Sequence, residues 1–143
     1  MKILVDSSVY VSAFLNDEKR SSISWDFCMI LKNDPSLEIV GFRLVILEVL
    51  NVLLRRNDSV TARYVSRFYA RAVSGEVEDI GLAPQRLVFE ASKKVKLKTS
   101  DLLVLLKAYE KGAMLISWDE QLVREGKKLM PCLTPREFLD ELS

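Results

Sequence analysis

The chain of 143 residues contains no histidine. That absence removes Ser-His-Asp and Cys-His triads, histidine general bases and His-containing zinc sites. Cysteine occurs only as Cys28 and Cys132. Both lie in apolar sequence and do not form a C-x-x-C pair, so two buried, inert thiols are expected. Long apolar runs are missing as well. None approaches the roughly 20 residues that span a bilayer, and the N-terminus lacks a signal-peptide pattern. An intracellular, cytoplasmic protein with no membrane partner is therefore expected. Charge of one sign is also lacking. With a net charge of +1 there is no global basic field, and a nucleic-acid partner requires a local patch.

What is present is an ordinary soluble balance of 49% hydrophobic and 29% charged residues. The length suits one compact domain over residues 1–143, with no internal repeat or low-complexity segment. Any catalytic chemistry then falls to carboxylates, with Lys, Arg, Ser or Tyr in support. Hard metal ions held by oxygen ligands fit that inventory.

Four acids stand out. Ile3-Leu4-Val5 reads as a buried strand that stops on Asp6. In an open parallel sheet, the carboxyl ends of strands are where ligands bind. The plainer reading is that Asp6 or a neighbouring serine caps the next helix. Arg43 to Arg56 is apolar almost all round and reads as a largely buried helix with Glu48 in its middle. A lone carboxylate is costly to bury unless it is paired or holds a metal. The alternative is a narrow polar stripe of Glu48, Asn51 and Arg55. Thr99-Ser100-Asp101 opens an apolar helix over Leu102 to Tyr109, and any of the three is a possible cap. Ala113 to Ile116 is a second buried strand ending at an acid, Asp119, within Ser117-Trp118-Asp119-Glu120. Here Ser117 and Glu120 match the spacing of a capping box.

The rest supplies the frame. Val9 to Leu15 reads as a short helical turn and Asn16 to Arg20 as a polar break. Ser21 to Lys32 reads as a helix, Leu37 to Val40 as a short strand, and Ser59 to Val73 as the second arm of a helical hairpin. Arg63, Arg67 and Arg71 recur every four residues there, either as a solvated face or as a phosphate-tracking stripe. Tyr64, Phe68 and Tyr69 between them read as packing residues. Val77 to Ile80 is a candidate strand, and Pro84 begins a helix running to about Lys94. Lys93 to Lys98 is a basic stretch just before Asp101. Leu129-Met130-Pro131 reads as a last edge strand, and Thr134 to Glu137 as a capping box opening the final helix. This order predicts a three-layer α/β/α fold with a mostly parallel central sheet.

Four carboxylates at one sheet edge repel by a few kcal/mol per close pair, for an effective dielectric of about 20 at ~5 Å. Cations neutralise such a cluster, and Mg²⁺ or Mn²⁺ binds a few carboxylates together with waters and phosphate oxygens. At this point the sequence resembles the PIN-domain family, especially its toxin-like (VapC-like) ribonucleases. ILVDSSV resembles the family's first motif, VILEVLNVLLR its second, TSDLLVLLKAYEKGAMLISWDEQL its third and fourth, and LTPREFL its usual ending. The resemblance implies a metal-dependent endoribonuclease using Mg²⁺ or Mn²⁺, often homodimeric and often held inactive by an antitoxin. It implies Asp6, Glu48, Asp101 and Asp119 as catalytic and metal-holding residues, with Ser7 and Ser117 supporting them. The Leu-rich helix after Asp101 departs from the small residues frequent in the family. Two other classes stand beside this one. A PIN-like domain without catalysis would serve as an RNA-binding or assembly module. A phosphoacceptor signalling domain would want two adjacent acids after the first strand, where this chain has Asp6 followed by two serines.

Overall fold

The computed structural model describes residues 1–15, 19–81 and 84–143. The polar break expected at Asn16 to Arg20 lies, for residues 16–18, outside the described residues. The chain alternates between the two element types. The strands are β1 (Lys2–Val5), β2 (Glu38–Ile39), β3 (Gly41–Phe42), β4 (Val77–Glu78), β5 (Met114–Ile116) and β6 (Cys132–Leu133). The helices are α1 (Ser7–Phe14), α2 (Ser21–Asn33), α3 (Arg43–Arg55), α4 (Ser59–Ala72), α5 (Pro84–Ser92), α6 (Thr99–Lys111), α7 (Glu120–Gly126) and α8 (Pro135–Leu142).

The central sheet runs β2-β1-β5-β6 with every pair parallel. The fold is therefore α/β with a parallel sheet, as the alternating pattern predicts. Ile3, Leu4, Leu115 and Ile116 are fully buried, which fits short runs that are apolar at every position. The register pairs Val5 with Ile116, so the chain leaves β1 at Asp6 beside its exit from β5 at Ser117. Two segments ending in acids thus emerge side by side at one edge of the sheet.

Local chemistry explains most boundaries. Asp58 caps α4, its Oδ1 accepting from Thr61 N at 3.0 Å, after a hairpin turn in which Asn57 takes a left-handed φ of 57°. Gly112 closes α6 at φ 63°, a conformation that glycine adopts without steric cost. The Thr134–Glu137 capping box forms in both directions. Cys28 and Cys132 are buried and free, and burial raises their thiols to about 12 and about 11.

The short strand expected at Leu37 to Val40 is present as β2 in the central sheet. Just beyond it, β3 pairs with β4 in a separate two-stranded sheet. Two expectations need correction. The last strand is Cys132–Leu133 rather than Leu129 to Pro131, because α7 is followed by a turn in which Leu129 N and Met130 N donate to Gly126 O. Pro131 contributes only its carbonyl, to Leu115 N. α3 is not buried all round. Val45, Val49 and Leu53 face the core, while Leu47 and Leu54 are about half exposed.

Gly41 permits the change of sheet. A Cβ there would meet Val73 Cγ1 at 2.5 Å and the Val77 backbone at 3.1 Å. Gly41→Ala is expected to destabilise the fold by about 1–3 kcal/mol, the usual range for forcing a methyl into a packed site. Urea unfolding of the two proteins measures it, and an unchanged midpoint contradicts the close approach.

Candidate functional site

Asp6 is the anchor of the site. It occupies the N-cap position of α1 but makes no side-chain capping bond. Its buried carboxylate instead accepts two hydroxyls on one oxygen. Ser8 Oγ and Ser117 Oγ each donate to Oδ2 at 2.8 Å. Each hydroxyl also accepts a backbone N–H, Ser8 from Trp118 at 3.1 Å and Ser117 from Asp119 at 3.0 Å. The hydroxyls are therefore fully engaged, and Asp6 is held in one place with its other oxygen free of these bonds. The reading of Asp6 as a helix cap is set aside.

Asp119 does cap. It is the N-cap of α7, and its Oδ1 accepts from Leu122 N at 3.0 Å. The capping box read between Ser117 and Glu120 does not form, because the Ser117 hydroxyl is committed to Asp6 and to Asp119 N. Asp101 lies in the first turn of α6, whose N-cap is Lys98. Thr99, Ser100 and Asp101 are thus all inside the helix, and none of them caps it. Glu48 is half-buried in the middle of α3, while Asn51 and Arg55 on the supposed polar stripe are exposed.

Electrostatics join the four acids. Burial raises the Glu48 carboxyl above its ordinary range, and the negative charges of Asp6 and Asp101 raise it further. Lys98 and the Ser7 hydroxyl pull it back down. Burial likewise lifts Asp101 to about 6, against the Lys98 charge and with help from Asp119 and Asp6. β1, α3, α6 and α7 thus bring Asp6, Glu48, Asp101 and Asp119 within reach of one another's charge. Among the described residues, no group of three acids is arranged to hold a metal ion. The donor set still suits a hard divalent cation, because Mg²⁺ keeps several waters and uses only one or two carboxylates.

Ser7 lies beside Glu48 and Ser117 beside Asp6. Sequence reasoning missed Ser8. It read the first motif as Asp6 with an adjacent hydroxyl, whereas the residue two positions on turns back to the acid. A serine at the second position of a helix that follows a strand-end acid was the available signal. Arg20 is a second residue near the site that was not singled out. Its guanidinium stacks on Trp118 at 4.8 Å from the ring centre, and its Nη1 donates to Trp118 O at 3.3 Å. Arg63, Arg67 and Arg71 are exposed on α4, which packs on α1, α2 and α3. Of the aromatics between them, Phe68 and Tyr69 are buried as expected, and Tyr69 bonds to both N and O of Phe42. Tyr64 stays half exposed beside Phe14.

Comparison with known proteins follows the same lines. A family model described as "PIN domain" matches residues 3–128. No curated protein matches the chain by sequence. Among solved structures, the chain is similar to VapC20 of Mycobacterium tuberculosis, described as a toxin that cleaves the sarcin-ricin loop. The TM-score is 0.68 at 16% identity, over 87% of this chain and 95% of that one. It is similar to VapBC2 of Rickettsia felis, bound to a DNA fragment from its promoter, with a TM-score of 0.64 at 16% identity over 94% and 98% of the two chains. FitAcB of Neisseria gonorrhoeae gives a TM-score of 0.67 at 9% identity over 95% and 99%. At these identities the likeness is one of fold.

The raised Asp101 carboxyl has a consequence for stability. In the metal-free protein the folded state holds this proton more tightly than the unfolded chain, whose value is near the ordinary 3.8. The associated stability is present below about pH 4 and is lost as pH rises through about 6. Asp101→Asn removes that loss. In chelator, the variant is expected to melt with the wild type near pH 4 and above it near pH 7. Thermal melts across that range check this, and a variant melting lower at pH 7 contradicts the cost of ionising the buried Asp101 carboxyl.

Proposed function

Because the chain belongs to the PIN-domain family, we propose that it is a divalent-metal-dependent endoribonuclease, the toxin of a toxin–antitoxin pair. The observation that carries this reading is the convergence of Asp6, Glu48, Asp101 and Asp119 on one another's charge in a chain without histidine. These four acids would hold Mg²⁺ or Mn²⁺. When bound, such ions activate a water and stabilise the leaving oxygen of a phosphodiester.

The chain's own residues have separable roles in this reading. Ser8 and Ser117 orient Asp6. Ser7 steadies Glu48. Asp119 presents one carboxylate from the mouth of α7. Arg63, Arg67 and Arg71 would follow the RNA backbone away from the cut. Exposed apolar surface supports protein partners. Leu47 and Leu54 lie seven residues apart on one face of α3, suited to a homodimer contact. Phe14, Trp25 and Tyr64 form an edge-packed aromatic group that is partly exposed, beside the largely exposed Val60, and suits an antitoxin segment. The proposed setting is the cytoplasm; no described helix is long and apolar enough to cross a membrane.

One observation favours the alternative of a catalytically silent module that binds RNA or assembles with partners: the described acids do not already form a metal-holding trio. Activity separates the two. Purified protein is expected to cut RNA with Mg²⁺ or Mn²⁺ and to stop in excess chelator. Cleavage that persists in chelator overturns the metal mechanism. Intact RNA across a panel that includes structured ribosomal fragments returns the silent module.

The arginine stripe has its own test. Changing Arg63, Arg67 and Arg71 together to Gln is expected to weaken RNA binding broadly and flatten its salt dependence. An unchanged salt slope makes the stripe a solvated face.

A further inference from the structure

Among the described residues one cation, Lys98, acts by its charge on the acids of the site, and its position is unusual. Lys98 is the N-cap of α6, with extended backbone at φ −66° and ψ 160° and no side-chain capping bond. Helix N-caps favour Ser, Thr, Asp or Asn, and a positive charge there opposes the helix dipole. Lys98 breaks both preferences, and a broken local rule of this kind often marks function. Its side chain is exposed. Among the described residues Lys98, like several other exposed lysines, makes no ion pair within 4 Å. It stands one turn before Asp101, and its charge acts on both Asp101 and Glu48, which come from different helices.

The segment carrying Lys98 is fixed in place. Lys96 N donates to Glu125 Oε1 at 2.8 Å, and Gln121 Nε2 donates to Lys96 O at 2.9 Å. Glu125 is buried and is itself held by Lys128 at 2.7 Å. Both anchors lie on α7, the helix that Asp119 caps. The backbone two residues before Lys98 is therefore tied to the element that presents the fourth acid.

We infer that Lys98 is a phosphate-positioning residue, whose ammonium at the lip of the carboxylate cluster meets a non-bridging oxygen of the RNA backbone. The inference rests on the ribonuclease reading above. The acids alone repel RNA, and a fixed cation beside them lets a phosphate approach. Lysine serves here as a point charge. Glu125 and Gln121 act through it by holding the backbone at Lys96, two residues before it.

The test measures binding apart from cleavage. A labelled single-stranded RNA is titrated in Ca²⁺ against the wild type, Lys98→Gln and Lys98→Arg, with thermal melts to check folding. Lys98→Gln is expected to weaken binding about threefold or more and to reduce the slope of log affinity against log salt by about 0.7, the value for one contact to a single strand. Lys98→Arg is expected to restore both. Mn²⁺ binding by calorimetry is expected to be unchanged or tighter in Lys98→Gln, because a competing positive charge has gone. Unchanged RNA affinity and slope in Lys98→Gln overturn the inference, as does weakened Mn²⁺ binding, which would make Lys98 a support for the acids. Mn²⁺-dependent cleavage by the wild type is scored separately. Binding through Lys98 without any cleavage leaves this inference standing and removes the ribonuclease reading.

Discussion

The arrangement at the sheet edge depends on one oxygen. Asp6 Oδ2 receives the hydroxyls of Ser8 and Ser117, and these come from segments more than a hundred residues apart. Asp6 N also donates to Ile116 O at 2.9 Å, continuing the β1–β5 ladder to its last rung. Backbone and side chain thus lock the two strand ends together at the same point. The lock works because each serine finds a second partner for its lone pair in a backbone N–H of the segment after β5. Without either hydroxyl, a buried carboxylate would lose a charge-assisted bond and a backbone donor would be orphaned.

Around this fixed acid the other three carboxylates are disposed with less restraint. Asp119 spends one oxygen on capping α7, and Glu48 and Asp101 sit half-buried on separate helices. Burial first, and the neighbouring negative charges second, make this edge costly to keep ionised, which appears as the elevated proton affinity of Glu48 and Asp101. Lys98 offsets part of that cost. The hydrophobic core beneath is continuous from β1 through α3 to α6, so the cost is carried by packing elsewhere.

Much of this was legible in the sequence. A carboxylate that ends an apolar run, or interrupts an apolar helix, is locally improbable, so Asp6, Glu48, Asp101 and Asp119 were conspicuous. Residues governed by local chemistry also read correctly. Gly112, the Thr134 capping box and the Asn57 turn each answer to a short-range rule. What the sequence concealed depends on distant partners. Whether Ser117 caps a helix or holds Asp6 is decided by β1, and Ser8 looks like an ordinary helical residue until Ser117 is beside it. That Gly41 and Phe42, directly after β2, pair in a second sheet depends on where β4 lies. The two-faced character of α3 was hidden because Leu47 and Leu54 are as apolar as the residues that face the core.

Trp118 lies between the hydroxyl that holds Asp6 and the acid that caps α7. Its indole is buried, its Nε1 donates to Ser24 on α2 at 2.7 Å, and Arg20 covers one face of the ring. The chain has only one other tryptophan, Trp25, which is more exposed and packs edge-on against Phe14. The two indoles therefore occupy environments of different exposure near the start of α2, one beneath Arg20 and Ser24 and the other beside Phe14. The protein carries an intrinsic fluorophore wired into its carboxylate cluster, and any rearrangement of Ser117 or Asp119 passes through the backbone of the emitting residue.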